Sequence, residues 1–131
     1  MNRARKDDTT TTILMLAELV GRHYGLSDDT DPQVHIGALP AHLGNATHAF
    51  YSPSANTLHF RPTYLYGQVI MHELAHWAQY ALRGDTDCSS TPIARRNLTL
   101  AAEHSVMQKT ITALAQRTGY YAALNALGDL G

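Results

Sequence analysis

The stretch V-I-M-H-E-L-A-H-W-A-Q-Y, residues 69–80, decides how this chain folds. Positions four apart on an α-helix lie one above the other, so His72 and His76 project from the same face. Glu73 is rotated by about 100° from His72 around the helix axis. No Pro or Gly interrupts residues 68–83, and apolar residues cover most of the helix surface. The pattern therefore predicts a buried helix that carries two imidazoles and a carboxylate.

The spacing H-E-x-x-H within this helix is a zinc-binding signature. His72 and His76 can bind one ion, and Glu73 can act on a nearby water without being a ligand itself. The structural alternative is a pair of buried histidines that donate to backbone carbonyls. We favour the metal site and expect one zinc ion (Zn2+) per chain.

Length and composition indicate one globular domain. The chain has 131 residues, of which 44% are hydrophobic and 16% charged, so we assign residues 1–131 to a single domain with residues 1–8 as a flexible tail. The net charge is −1 and the basic residues are scattered, which argues against nucleic acid or a membrane as a partner. We identify no N-terminal signal peptide and expect a cytoplasmic protein, or one exported by a route that does not use such a peptide. The lone Cys88 excludes an intrachain disulfide. We interpret it as an incidental loop thiol, with an extra or inhibitory metal ligand as the alternative.

Four other histidines are isolated and are interpreted as surface residues or as partners of the ligands: His35, His42, His48 and His59.

The remaining pattern predicts an α+β fold. The predicted elements are a helix over residues 13–24, a strand over 34–36, a hairpin of strands 47–51 and 57–61, the motif helix ending near residue 82 with Gly84 after it, a long helix starting at Thr91 and Pro92, and a final helix over 120–127 after Gly119.

A catalytic zinc usually has three protein ligands, so a third is sought beyond the motif, and the long helix that follows it offers two candidates. Glu103 lies at the border of its apolar stripe, where a carboxylate is costly unless it is paired or bound to a cation. His104 falls within the stripe itself and is the alternative. Neighbouring helix residues point about 100° apart, so both are not expected to bind the same ion. We favour Glu103, with His104 as a hydrogen-bond donor to the reacting oxygen or as a satisfied core histidine.

The motif helix, with the N-x-L-H-F strand at residues 56–60 before it, resembles that of compact bacterial zincins of the gluzincin type. These include the IrrE/ImmA and ArdC-like groups and toxin-associated H-E-x-x-H domains. The resemblance covers about residues 45–108. It implies a zincin-like fold with an N-terminal helix on a small sheet, an active-site helix and C-terminal helices.

The resemblance also implies a glutamate ligand on the next helix, a position that Glu103 fits. Larger gluzincins often carry an Asp four residues after that ligand, where this chain has Met107. Their downstream catalytic histidine has no match, and Tyr120 or Tyr121 could replace it only if the last helix folds back.

From these residues we expect a zinc metallopeptidase that acts on a protein or peptide substrate. Zinc bound by His72, His76 and Glu103 would activate a water, and Glu73 would act as the general base. The resemblance implies that an extended peptide would lie along a strand edge of the hairpin. Two alternatives remain open: a non-catalytic zincin-like binding or regulatory module, and the catalytic domain of a secreted toxin or effector.

Overall fold

The computed structural model describes residues 3–39, 41, 48–86 and 94–130. Within these ranges the chain forms four α-helices and a three-stranded sheet, which agrees with the predicted α+β class. None of the described helices is long and apolar enough to cross a membrane. His42, Cys88, Thr91 and Pro92 lie outside the described residues. The elements are α1 (Arg3–Tyr24), β1 (Gln33–Ile36), β2 (Ala49–Ser52), β3 (Thr57–Phe60), α2 (Gly67–Arg83), α3 (Ala94–Thr118) and α4 (Tyr120–Leu130).

The sheet has the order β1-β3-β2, with β1 parallel and β2 antiparallel to the central strand β3. Strand alternation directs Leu58 and Phe60 towards the helices, where both are fully buried. His59 lies on the opposite face and stacks on Phe50 with a ring separation of 4.4 Å. The predicted strand at 34–36 and the predicted hairpin are therefore confirmed.

Strand β2 lies at one edge of the sheet. The Arg61 N–H donates to the carbonyl of His48 at 3.1 Å, so these residues form a hydrogen-bonded pair. Such pairs alternate along an antiparallel ladder. The register therefore directs the N–H and C=O groups of Ala49 and Tyr51 away from β3.

Helix α2 lies at the centre of the molecule. Its side chains Ile70, Leu74 and Trp77 are fully buried, and the Trp77 indole N–H donates to the carbonyl of Thr30 at 2.8 Å. Gly84 ends the helix with a φ of 71°, as predicted. The predicted stripe of α3 is also buried over its described part, at Leu100, Met107, Ile111 and Leu114.

Helix α1 begins at Arg3, earlier than predicted, so residues 3–8 of the predicted tail are helical. The threonines at 9–12, which precede the predicted start at residue 13, lie inside the helix. Thr9 is buried, and the Thr12 hydroxyl donates to the carbonyl of Asp8 at 2.8 Å. The Thr12 hydroxyl is therefore satisfied within the helix and does not have to act as a cap.

Helix α4 folds back onto the start of α2. The Asn125 carboxamide accepts the N–H of Gly67 at 2.6 Å, and Gln68 donates to the Tyr121 hydroxyl at 3.0 Å. A Cβ at position 67 would lie 2.8 Å from Asn125 Oδ1 and 2.9 Å from the Tyr121 ring, so a larger residue there would have to displace these side chains. A side chain from another helix thus satisfies one of the unpaired N–H groups at the start of the motif helix.

Candidate metal centre

Three imidazoles meet between α2 and α3. His72 and His76 lie one turn apart on α2, and His104 projects from the buried stripe of α3 with 4% of its surface exposed. One potential ligand nitrogen from each ring lies within 4.8 Å of the other two. The Nε2 atoms of His72 and His76 are 3.1 Å apart, and the ring centre of His104 is 4.1 Å from that of His76.

The geometry of these rings fits one metal ion. Two nitrogens bound tetrahedrally at 2.0–2.1 Å from zinc lie about 3.3 Å apart, close to the observed separation of the two Nε2 atoms. Imidazole donors suit zinc, copper, iron and nickel, and catalytic zinc sites use three protein ligands with a fourth position for water. His72, His76 and His104 could therefore hold a metal ion.

Hydrogen bonds orient the rings of His72 and His104. The Nδ1 of His72 is 3.1 Å from the Gln108 Oε1, and a carboxamide oxygen only accepts, so His72 donates from Nδ1 and its Nε2 carries the lone pair. His104 donates from Nε2 to the carbonyl of His72 at 3.1 Å, which leaves Nδ1 as the other nitrogen of that ring. Each ring thus directs a defined nitrogen for binding.

Burial keeps the imidazole of His76 neutral. It lowers the pKa of His76 to about 3, with smaller contributions from His104 and His72. A neutral imidazole is the form that binds a metal ion. His76 is therefore ready to bind without first losing a proton at neutral pH.

Glu73 lies beside the histidine cluster with 5% of its surface exposed. Burial raises its pKa to about 8, and a hydrogen bond from the backbone N–H of Tyr51 opposes that shift. The residue borders a cavity of about 480 Å³ whose lining also includes His72, His48 and Ala49. A carboxyl group with a raised pKa therefore lies next to a space in which a substrate could bind.

The structure does not bring Glu103 to this cluster, contrary to our prediction of it as the third ligand. Its Oε2 accepts from the Nε and Nη2 of Arg83 at 3.0 and 2.8 Å, and its Oε1 accepts from Gln79 at 3.0 Å. The Arg83 hydrogen bond holds the pKa of Glu103 below its usual value. Because neighbouring helix residues point in different directions, His104 reaches the motif histidines while Glu103 pairs with the last turn of α2. His104, predicted as a donor to the reacting oxygen, takes the third position of the cluster instead.

Three polar residues near the cluster were missed at the sequence level. Gln108 bonds to His72, and Thr86 bonds to both His76 and Gln79. Gln79 is fully buried, and its place in an apolar helix was a signal that it needs polar partners. Nothing in the local sequence marks Thr86, because it follows the helix end and meets His76 only through the fold.

No family model, curated protein or solved structure matches this chain. The interpretation of the site therefore depends on its own residues and their geometry.

Proposed function

We propose that this chain is a zinc-dependent metallopeptidase with His72, His76 and His104 as the zinc ligands. The observation that carries the proposal is the convergence of three imidazoles beside the buried carboxyl group of Glu73, at the border of a cavity. A purely structural zinc site has no need of a carboxylate that is not a ligand, and it is usually closed by a fourth protein ligand.

Zinc fits the donor set and the H-E-x-x-H spacing better than the hard cations, which prefer oxygen ligands. Bound by the three histidines, it would lower the pKa of a water ligand towards neutrality and polarise the scissile carbonyl.

Glu73 is the proposed general base. Its carboxylate takes a proton from the attacking water and passes it to the leaving amine. Burial raises its pKa, which makes the ionised group a better proton acceptor than an exposed glutamate. The N–H of Tyr51 holds the carboxyl group in place, so the edge strand contributes directly to its orientation.

The same edge strand favours a peptide as the substrate. The register directs the N–H and C=O groups of Ala49 away from β3, and Ala49 lines the cavity together with His72 and Glu73. An extended peptide that pairs with this edge as an added strand would lie next to the histidine cluster. Backbone hydrogen bonds would then supply affinity, and the side-chain specificity would come from the rest of the cavity.

The test compares the zinc-loaded wild type with Glu73→Gln on a library of internally quenched peptides. We expect the variant to keep one zinc per chain and to lose at least about 100-fold in turnover, since it cannot accept the proton. Glu18→Gln is the matched control, because Glu18 is exposed on α1 and forms an ion pair with Arg22. Cleavage by Glu73→Gln at the wild-type rate would overturn the mechanism. A fully loaded wild type that cleaves no peptide would favour the binding-module alternative.

A further inference from the structure

Glu103 is not in the histidine cluster, yet a chain of hydrogen bonds connects it to His76. The chain runs from Glu103 through the Gln79 carboxamide and the Thr86 hydroxyl to the imidazole. Gln79 is fully buried and Thr86 is 6% exposed, so water has little access to the middle of the chain. The direction of each bond follows from which atoms can donate.

The orientation of the Gln79 carboxamide is fixed by two acceptors. Its Nε2 lies 2.9 Å from the carbonyl of Leu100 and 3.0 Å from the Glu103 Oε1. Two N–H groups of Arg83 bind the other oxygen of Glu103 and hold the carboxylate towards Gln79. An inverted carboxamide would place its oxygen against both acceptors, so the Gln79 Oε1 has to face Thr86.

The orientation of Gln79 determines the direction of the Thr86 hydroxyl. Thr86 Oγ1 lies 3.0 Å from the Gln79 Oε1 and 3.0 Å from the His76 Nδ1. The carboxamide oxygen cannot donate, so the single hydroxyl proton points to Gln79. Thr86 can then only accept from His76, which requires the proton of the neutral ring to be on Nδ1.

We propose that Glu103, Gln79 and Thr86 are positioning residues that fix His76 in the tautomer protonated on Nδ1, with the lone pair on the Nε2 that lies 3.1 Å from the Nε2 of His72. The inference rests on the proposed zinc site, because it assigns these residues a part in preparing one of its ligands. A histidine without such a partner populates both tautomers, and the form protonated on Nε2 cannot bind through that atom. The chain of hydrogen bonds through Glu103, Gln79 and Thr86, called the relay below, therefore excludes the ring protonated on Nε2 before the ion binds.

The test measures the ring tautomer and the zinc affinity separately. Long-range proton–nitrogen spectra of the metal-free wild type should show His76 protonated on Nδ1 and unprotonated on Nε2. Thr86→Val keeps the side-chain shape but removes the acceptor, so we expect mixed tautomers and zinc binding weaker by about 10- to 100-fold in chelator competition. Thr86→Ser should restore both values. Thr118→Val is the control, because its hydroxyl bonds only to carbonyls of its own helix among the described contacts.

A second variant tests the link that sets the hydroxyl direction. Gln79→Met keeps an unbranched side chain but removes the carboxamide, so Thr86 can turn its proton towards His76 and the tautomers should mix. If both Thr86→Val and Gln79→Met retain a single Nδ1-protonated ring and wild-type zinc affinity, the relay is wrong while the zinc site stands. If the wild type binds no zinc, the proposed function fails, and the tautomer spectra still decide whether the relay exists.

Discussion

The two motif histidines lie one helical turn apart, but their surroundings differ. His76 bonds to Thr86, which in turn bonds to the fully buried Gln79. His72 is exposed and lines the cavity, and its partner Gln108 is half-buried, with a 3.3 Å bond onwards to Gln68. One side of the cluster is therefore held by the protein interior and the other opens to solvent.

This difference matches the two requirements on the catalytic metal site that we propose. The ligands have to be held in a fixed geometry, and one coordination position has to stay accessible to water and substrate. The buried side around His76 meets the first requirement, and the cavity beside His72 and Glu73 meets the second. The contrast gives measurable expectations for each side.

The largest expected effect on the free energy of unfolding comes from the buried side of the cluster, around His76. Gln79→Ala should lower the free energy of unfolding of the metal-free protein by about 3 kcal/mol, because the Leu100 carbonyl and Thr86 lose their partner in a dry environment. Gln108→Ala removes a carboxamide that water can replace and should cost less than about 0.5 kcal/mol. Urea unfolding of both variants beside the wild type measures the difference. Equal losses would mean that the two sides do not differ as described.

On the cavity side of the cluster, we expect a smaller effect: the free energy of unfolding changes with pH because of Glu73. Its pKa is raised from 4.5 to about 8 by burial, so the folded protein keeps a proton that the unfolded chain loses, and stability falls as the pH rises through this range. His76, whose pKa is lowered from 6.5 to about 3, acts in the opposite sense, because its contribution is lost as the pH falls below 6.5.

Between pH 6.5 and 8, the contribution of Glu73 to the free energy of unfolding can therefore be measured apart from that of His76. Over this range the metal-free wild type should lose about 2 kcal/mol of stability relative to Glu73→Gln, at about 1.4 kcal/mol per pH unit. Urea unfolding of both proteins at intervals across the range gives the two curves. Parallel curves would show that the carboxyl group is already ionised at neutral pH.

The sequence was informative where one helix contains the whole pattern. The i, i+4 spacing of His72 and His76 determines a shared helix face, and the fold adds nothing to that inference. The choice between Glu103 and His104 needed the relative rotation of α2 and α3, which local periodicity does not contain. Placing His104 in the apolar stripe was correct, and that placement was the better guide to its position beside His72 and His76.

The pairing of Glu103 could not be read from the sequence for a similar reason. A carboxylate at the border of a core needs a cation, but either a metal ion or a guanidinium satisfies that need, and the sequence alone does not distinguish them. Arg83 lies in the last turn of α2, and only the packing of the two helices brings it to Glu103.

The most direct test of the account is the zinc content of wild type, His104→Ala and Glu103→Ala, loaded in parallel and measured by elemental mass spectrometry. The account predicts about one zinc per chain in the wild type and in Glu103→Ala, which keeps all three histidines, and loss of zinc in His104→Ala. Zinc retained by His104→Ala and lost from Glu103→Ala would contradict it and return the third ligand to Glu103.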